Sequence, residues 1–113
     1  MPRDRRLYPD DIIESYGRIG LYVRGMSRKE FEADSRTQDA VMRNFEIIGE
    51  AAKRLPEEIK SQFRGVEWAK IIGFRNVLTH EYFGLRPETV WSAVMDKVPI
   101  LEEQAVKVPG KET

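Results

Sequence analysis

The sequence predicts an all-α protein, an antiparallel up-and-down bundle of four longer helices plus short ones. Apolar residues recur at intervals of three and four, capping signals and prolines separate the helical segments, and no alternating strand pattern exceeds a few residues. Short connections make consecutive helices antiparallel neighbours. The 113 residues suffice for one domain with its own core. We place it at residues 8–106, between a basic N-terminal arm at 1–7 and a frayed tail at 107–113.

The first two helices have recognisable start signals. Asp10 or Asp11 can cap the first. Its apolar stripe consists of Ile12, Tyr16, Ile19, Val23 and Met26. Ser27 and Glu30 have the spacing of a capping box, which predicts a short second helix through Phe31.

The third helix is the longest, and a short fourth one follows it. Ser35 and Gln38 repeat the capping-box spacing at its start. The predicted inner face is Val41, Phe45, Ile48, Ala52 and Leu55. The predicted outer face includes Asp39, Arg43, Glu46, Glu50 and Lys53. Pro56 ends this helix and opens the fourth, which is expected to run to Phe63.

Two more helices complete the bundle. The fifth is predicted from Glu67, with helical spacing of Trp68, Ile71, Ile72, Arg75, Asn76, Thr79 and His80. Pro87 opens the last, which Pro99 should kink or restart. Glycines inside helices cost about 1 kcal/mol each relative to alanine. We therefore expect close helix packing at Gly17, Gly20, Gly49 and Gly73.

Composition excludes several classes of site. Equal numbers of basic and acidic residues, 19 of each, argue against a uniformly basic nucleic-acid surface, although 12 of the cations are arginines that can form a local patch. The absence of cysteine excludes disulfides, thiolate zinc sites and iron–sulfur clusters, and one histidine argues against zinc. We predict no metal and no cofactor. Without a secretion signal or an apolar membrane span, the protein is expected in the cytoplasm.

The end of the fifth helix carries the residues suited to chemistry. At about 100° per residue, Asn76 and His80 share one face, and Arg75 and Tyr82 share another close by. Arg75 and His80 lie five positions apart. They therefore converge only if the helix ends near His80 or if the two groups come from different subunits.

This set of side chains suits phosphate chemistry. Arginine binds phosphate through two donors and stays charged, whereas histidine exchanges protons near neutral pH. An RNase without metal needs a base, an acid and a cation. One chain supplies a single histidine, so acid–base catalysis calls for a symmetric homodimer or another proton donor.

Ordinary structural roles remain open for the same residues. His80 can cap a helix C-terminus, Arg75 can form a surface ion pair, and Tyr82 can be a core or interface aromatic. The carboxylate pairs are candidate Mg²⁺ ligands or solvated surface groups. These pairs are Glu46/Glu50, Glu57/Glu58 and Glu102/Glu103. The basic arm, with Arg3, Arg5 and Arg6, can contact RNA or stay free.

The segment from Arg75 to Tyr82 resembles the Arg-x4-His-x-Tyr motif of the HepT-like HEPN toxins, including a polar residue directly after the arginine. Residues 38–41 and 48–52 are similar to the family's long central helix. Residues 68–82 and 91–101 are similar to its last two helices, so the resemblance covers about residues 8–106.

The resemblance implies a homodimeric HEPN ribonuclease, the toxin of a toxin–antitoxin pair that cleaves RNA without metal. It places the catalytic pair at Arg75 and His80 and the polar residue that positions substrate at Asn76. The implied antitoxin is a minimal nucleotidyltransferase that neutralises the toxin by transferring AMP to Tyr82.

Two other functions fit the same surface. One is a non-catalytic helical subunit that binds a nucleotide or presents substrate within a nucleotidyltransferase complex. The other is a purely structural helical dimer in which His80 only caps its helix.

Overall fold

The computed structural model describes residues 8–63, 65–81 and 84–105, with residues 97–105 as backbone only. Six helices follow one another along the chain: α1 (Tyr8–Val23), α2 (Arg28–Glu32), α3 (Ser35–Arg54), α4 (Glu57–Lys60), α5 (Trp68–His80) and α6 (Pro87–Ala105). No strand occurs in the described ranges, so the all-α prediction is confirmed. The predicted arm at 1–7, the tail at 107–113 and Tyr82 lie outside the described residues.

Helix α1 presents the predicted apolar stripe to the core. Ile12, Tyr16 and Ile19 are buried, and Val23 is partly buried beside them. The predicted cap is wrong, because the helix already includes Tyr8 and both aspartates therefore lie in its first turn. There they still stabilise the positive end of the helix dipole.

Helix α2 begins with the predicted capping box. The Glu30 backbone N–H donates to the Ser27 hydroxyl at 3.1 Å, and the Ser27 N–H donates to the Glu30 carboxylate at 2.8 Å. The chain enters this helix through Gly25, whose φ of 76° is accessible to glycine at little cost.

Helix α3 does not begin with the second predicted box. Asp34 is the N-cap, and its Oδ1 accepts from the Thr37 backbone N–H at 3.0 Å. Ser35 is instead the first helical residue. The Gln38 amide donates to the backbone carbonyls of Phe31 and Glu32, which joins the start of α3 to α2.

The later helix boundaries differ slightly from the predicted ones. Pro56 is the N-cap of α4, which ends at Lys60 and not at Phe63. Helix α6 does not restart at Pro99, because it is one continuous helix over Pro87–Ala105. None of the described helices combines the length and the hydropathy that crossing a lipid bilayer requires.

Helix α3 lies at the centre of the bundle and packs against α1, α2, α5 and α6. All five residues of its predicted inner face are buried. Aromatic pairs join neighbouring segments: Phe31 with Trp91, Phe45 with Phe74, and Phe63 with Trp68. Helix α5 packs mainly on α3, so the α3–α5 contact determines where the predicted site residues lie.

Candidate active site

Helix α5 ends inside the segment that carries the predicted site residues. His80 is the last helical residue, and the backbone N–H of Glu81 closes the final turn by donating to the Val77 carbonyl at 2.8 Å. The His80 side chain is exposed. The helix therefore ends at His80, although Arg75 and His80 both lie within it, about 140° apart around its axis.

The guanidinium of Arg75 is held by two acceptors. Its Nη1 donates to the Asn76 side-chain oxygen at 3.0 Å, and its Nη2 donates to Glu50 Oε1 at 2.8 Å. Glu50 belongs to α3, so the ion pair crosses the helix interface. Fixing a guanidinium in this way lowers the entropic cost of presenting it to a phosphate.

Glu50 is shared between two arginines. Its Oε2 accepts from the Arg54 guanidinium at 2.8 Å, while Oε1 accepts from Arg75. The hydrogen bond from Arg54 is the main reason that the pKa of Glu50 lies below its usual value. The charges of Arg75, Arg54 and Lys53 lower it further, and partial burial opposes them. Glu50 therefore loses its charge only at a lower pH than an ordinary glutamate does.

Replacing Glu50 by glutamine should lower the free energy of unfolding at neutral pH by less than about 1 kcal/mol, because water screens the partly exposed pair. The lowered pKa favours the folded wild-type protein above the ordinary carboxyl pKa, and this gain disappears as the pH falls through the lowered value. Urea unfolding of both proteins between about pH 3 and 7 measures the difference. If the difference in free energy of unfolding between the two proteins grew as the pH fell, the ion pair would not be the source of the stabilisation.

Gly49 permits the close approach of α3 and α5 at Arg75. A Cβ added at Gly49 would lie 2.8 Å from Arg75 Cγ, closer still to Arg75 Cβ, and 3.5 Å from the Ile71 carbonyl oxygen. The prediction of close helix packing is confirmed here. Within a single chain it is wrong for Gly17, Gly20 and Gly73, where an added Cβ would meet open space.

The structure brings some of the predicted site residues together. Arg75 and Asn76 share a hydrogen bond, and the Thr79 hydroxyl donates to the Arg75 carbonyl at 3.0 Å. Asn76 and His80 are both exposed on one side of α5, as their spacing predicts. Tyr82 lies outside the described residues.

Glu50 is a residue of this arrangement for which the sequence predicts another role. The sequence places it on the solvated outer face of α3 and pairs it with Glu46 as a candidate Mg²⁺ ligand, whereas in the structure it accepts a hydrogen bond from Arg75. No cluster of three metal-ligating side chains occurs among the described residues. The sequence does contain a signal for this contact, since Gly49 directly precedes Glu50 beside the apolar stripe of α3. A glycine within a helix allows a neighbouring helix to approach closely at that point.

The chain is similar to known proteins over most of its length. A family model described as "Ribonuclease HepT-like" matches residues 12–108. A "Putative RNase" of Methanocaldococcus jannaschii is 40% identical over 100 residues, covering 88% of this chain and 83% of the relative. A "Putative RNase" of Caldanaerobacter subterraneus is 36% identical, covering 95% of this chain and 96% of the relative.

A third relative has a more specific name. The "Probable ribonuclease HepT" of Thermococcus cleftensis is 33% identical over 108 residues, covering 96% of this chain and 98% of the relative. No solved structure gives a significant match to the chain.

Proposed function

The chain belongs to the HepT-like ribonuclease family, and on that basis we propose that it is a metal-independent RNA endonuclease that acts as a homodimeric toxin in the cytoplasm. The observation that carries this proposal is Arg75, a guanidinium fixed by Glu50 and Asn76 on the helix that ends at His80. A fixed cation and an exposed histidine on the same helix are two of the groups that cleavage of a phosphodiester without metal requires.

The proposed reaction uses the ribose as the nucleophile. His80 of one subunit takes the proton of the 2′-hydroxyl, whose oxygen attacks phosphorus and forms a pentavalent phosphate. Arg75 stabilises the added negative charge. The bond to the 5′-oxygen then breaks, and His80 of the second subunit gives this oxygen a proton. The products are a 2′,3′-cyclic phosphate and a 5′-hydroxyl.

One side of α5 supports the dimer. Residues 69, 72, 73, 76 and 80 follow one another along this side, which we call the open face: Ala69, Ile72, Gly73, Asn76 and His80. A Cβ at Gly73 would meet nothing within 4 Å, so a second helix can approach closely there. A two-fold axis along the open face would bring the two copies of His80 towards each other.

Tyr82 is the proposed point of control. We carry over from the family motif that a nucleotidyltransferase antitoxin transfers AMP to its hydroxyl, two residues after His80. The test is intact mass after incubation with the partner and ATP. An added AMP that persists in Tyr82→Phe would place the modification elsewhere.

Induced expression of the chain alone is expected to arrest bacterial growth and to degrade cellular RNA, because nothing then neutralises the toxin. Arg75→Ala and His80→Ala should both abolish the arrest. The readouts are growth after induction and the integrity of total RNA, with equal amounts of each protein confirmed by immunoblot.

The outcomes separate this function from the alternative subunit role. A non-catalytic subunit that binds a nucleotide or presents substrate to a nucleotidyltransferase would leave RNA intact. Arrest that persists in both variants would also contradict the assignment of Arg75 and His80.

A further inference from the structure

A cavity of about 380 Å³ opens beside Arg75, and apart from Arg75 none of its described lining residues takes part in a step of the proposed cleavage. It lies between the start of α1, the middle of α3 and the second half of α5. Two guanidinium groups line it, from Arg43 and Arg75, together with three carboxylates, from Asp11, Glu46 and Glu50. Its volume falls within the range of small-molecule sites.

The charges of this cavity favour a ligand group other than a run of phosphates. The three carboxylates lie among the two guanidinium groups, so the cavity has no continuous row of cations for the successive phosphates of an RNA backbone. A neutral group that carries N–H donors suits the carboxylates, and a single phosphate suits Arg75. The cavity therefore matches a nucleobase attached to one phosphate.

Glu46 is the carboxylate that can read such a base. Glu50 is already engaged by Arg54 and Arg75, and Asp11 has an interaction of its own. Within the described residues, no hydrogen bond or ion pair to the Glu46 carboxylate is present. Its side chain is half-buried, which reduces competition from water for the bond to a ligand.

The remaining walls suit a flat aromatic ring. Tyr8 contributes an aromatic side chain, and Ile47 and Ala51 contribute apolar surface. Single-stranded RNA is commonly read by stacking a base on an aromatic residue and hydrogen-bonding its Watson–Crick edge. Polar recognition by Glu46 and apolar contact are thus available in the same cavity.

We propose that this cavity binds the base next to the scissile phosphate and that Glu46 selects guanine. Guanine presents two adjacent N–H donors, at N1 and N2, which match the two oxygens of one carboxylate. Cytosine, adenine and uracil offer a single donor group on that edge. The proposal rests on the proposed RNA cleavage, which it extends by naming the preferred base.

Two measurements test the preference. Cleavage is measured on short single-stranded RNAs that differ at one position, which is G, inosine, A, U or C. Binding is measured by calorimetry with guanosine, inosine and uridine monophosphates, as both 3′ and 5′ forms. Guanine should be favoured over uracil on the order of tenfold or more in both assays, with inosine between them because it lacks the N2 donor.

Glu46→Gln should remove the preference, so that the guanosine and uridine substrates are cleaved at similar rates. Glu57→Gln is the matched control, an exposed carboxylate on α4 that should retain the preference.

Equal binding of all the nucleotides by the wild-type protein would overturn the proposal, even if the protein cleaves RNA. If the protein bound guanine nucleotides selectively but showed no guanine preference in cleavage, the assignment of the cavity to an RNA base would be wrong. Absence of cleavage with every RNA would instead overturn the proposed function, and binding would still decide the base preference.

Discussion

His80→Ala is expected to lower the rate of RNA cleavage by about 100- to 10,000-fold, the usual contribution of a general acid or base. The chain has no second histidine that could replace it. Because the side chain is exposed at the end of α5, its removal should leave folding intact. Cleavage of a labelled RNA under single-turnover conditions measures the loss, and circular dichroism verifies the fold.

Arg75→Ala should reduce cleavage by a similar amount, on the order of 100- to 1,000-fold, because the cation that stabilises the pentavalent phosphate is removed. Arg75→Lys should recover only part of the rate, since an ammonium group cannot bind phosphate through two parallel donors. Arg86→Ala is the matched control. Arg86 is an exposed arginine near the start of α6, and its ion pair is with Glu88. Full activity of Arg75→Ala would exclude the proposed role.

Gly49→Ala should lower RNA cleavage by about 100-fold, the effect expected when a catalytic group moves by roughly 1 Å. The added methyl group overlaps Cβ of Arg75, whose position is fixed by the backbone, so rotation of the arginine side chain cannot relieve the overlap. Helices α3 and α5 must therefore separate. Overpacking of this kind costs about 1–3 kcal/mol, partly offset by about 1 kcal/mol of improved helix propensity.

The control for this substitution is Gly17→Ala. Gly17 lies in α1, where an added Cβ meets nothing within 4 Å. This variant should be as stable as the wild-type protein or more so, with normal cleavage. Thermal unfolding and the cleavage assay are run on both variants. If Gly49→Ala retained full activity and stability, close packing would not position Arg75.

Periodicity predicted most of the fold because the apolar stripes of α1 and α3 reflect burial directly. Ile12 and Ile48, for example, were placed in the core by spacing and are completely buried. Helix starts were harder to predict. Asp34 and Ser35 are both good capping residues, and the start of α3 depends on which of them meets the N–H of Thr37.

The sequence predicts which residues form the site but not which residues support them. The spacing of Arg75, Asn76 and His80 on one helix follows from local geometry and was accessible without a structure. The contact of Arg75 with Gly49 and Glu50 joins residues on two different helices. Helical spacing alone does not determine how one helix is placed against another, so Glu50 was interpreted as a solvated surface residue.

Cleavage of RNA by the purified protein in excess EDTA most directly tests metal-independent catalysis by Arg75 and His80. The wild-type protein should cleave at an unchanged rate and release fragments that end in 2′,3′-cyclic phosphate, while His80→Ala should be inactive in the same buffer. Loss of wild-type cleavage under chelation, or undiminished cleavage by His80→Ala, would contradict the proposed mechanism.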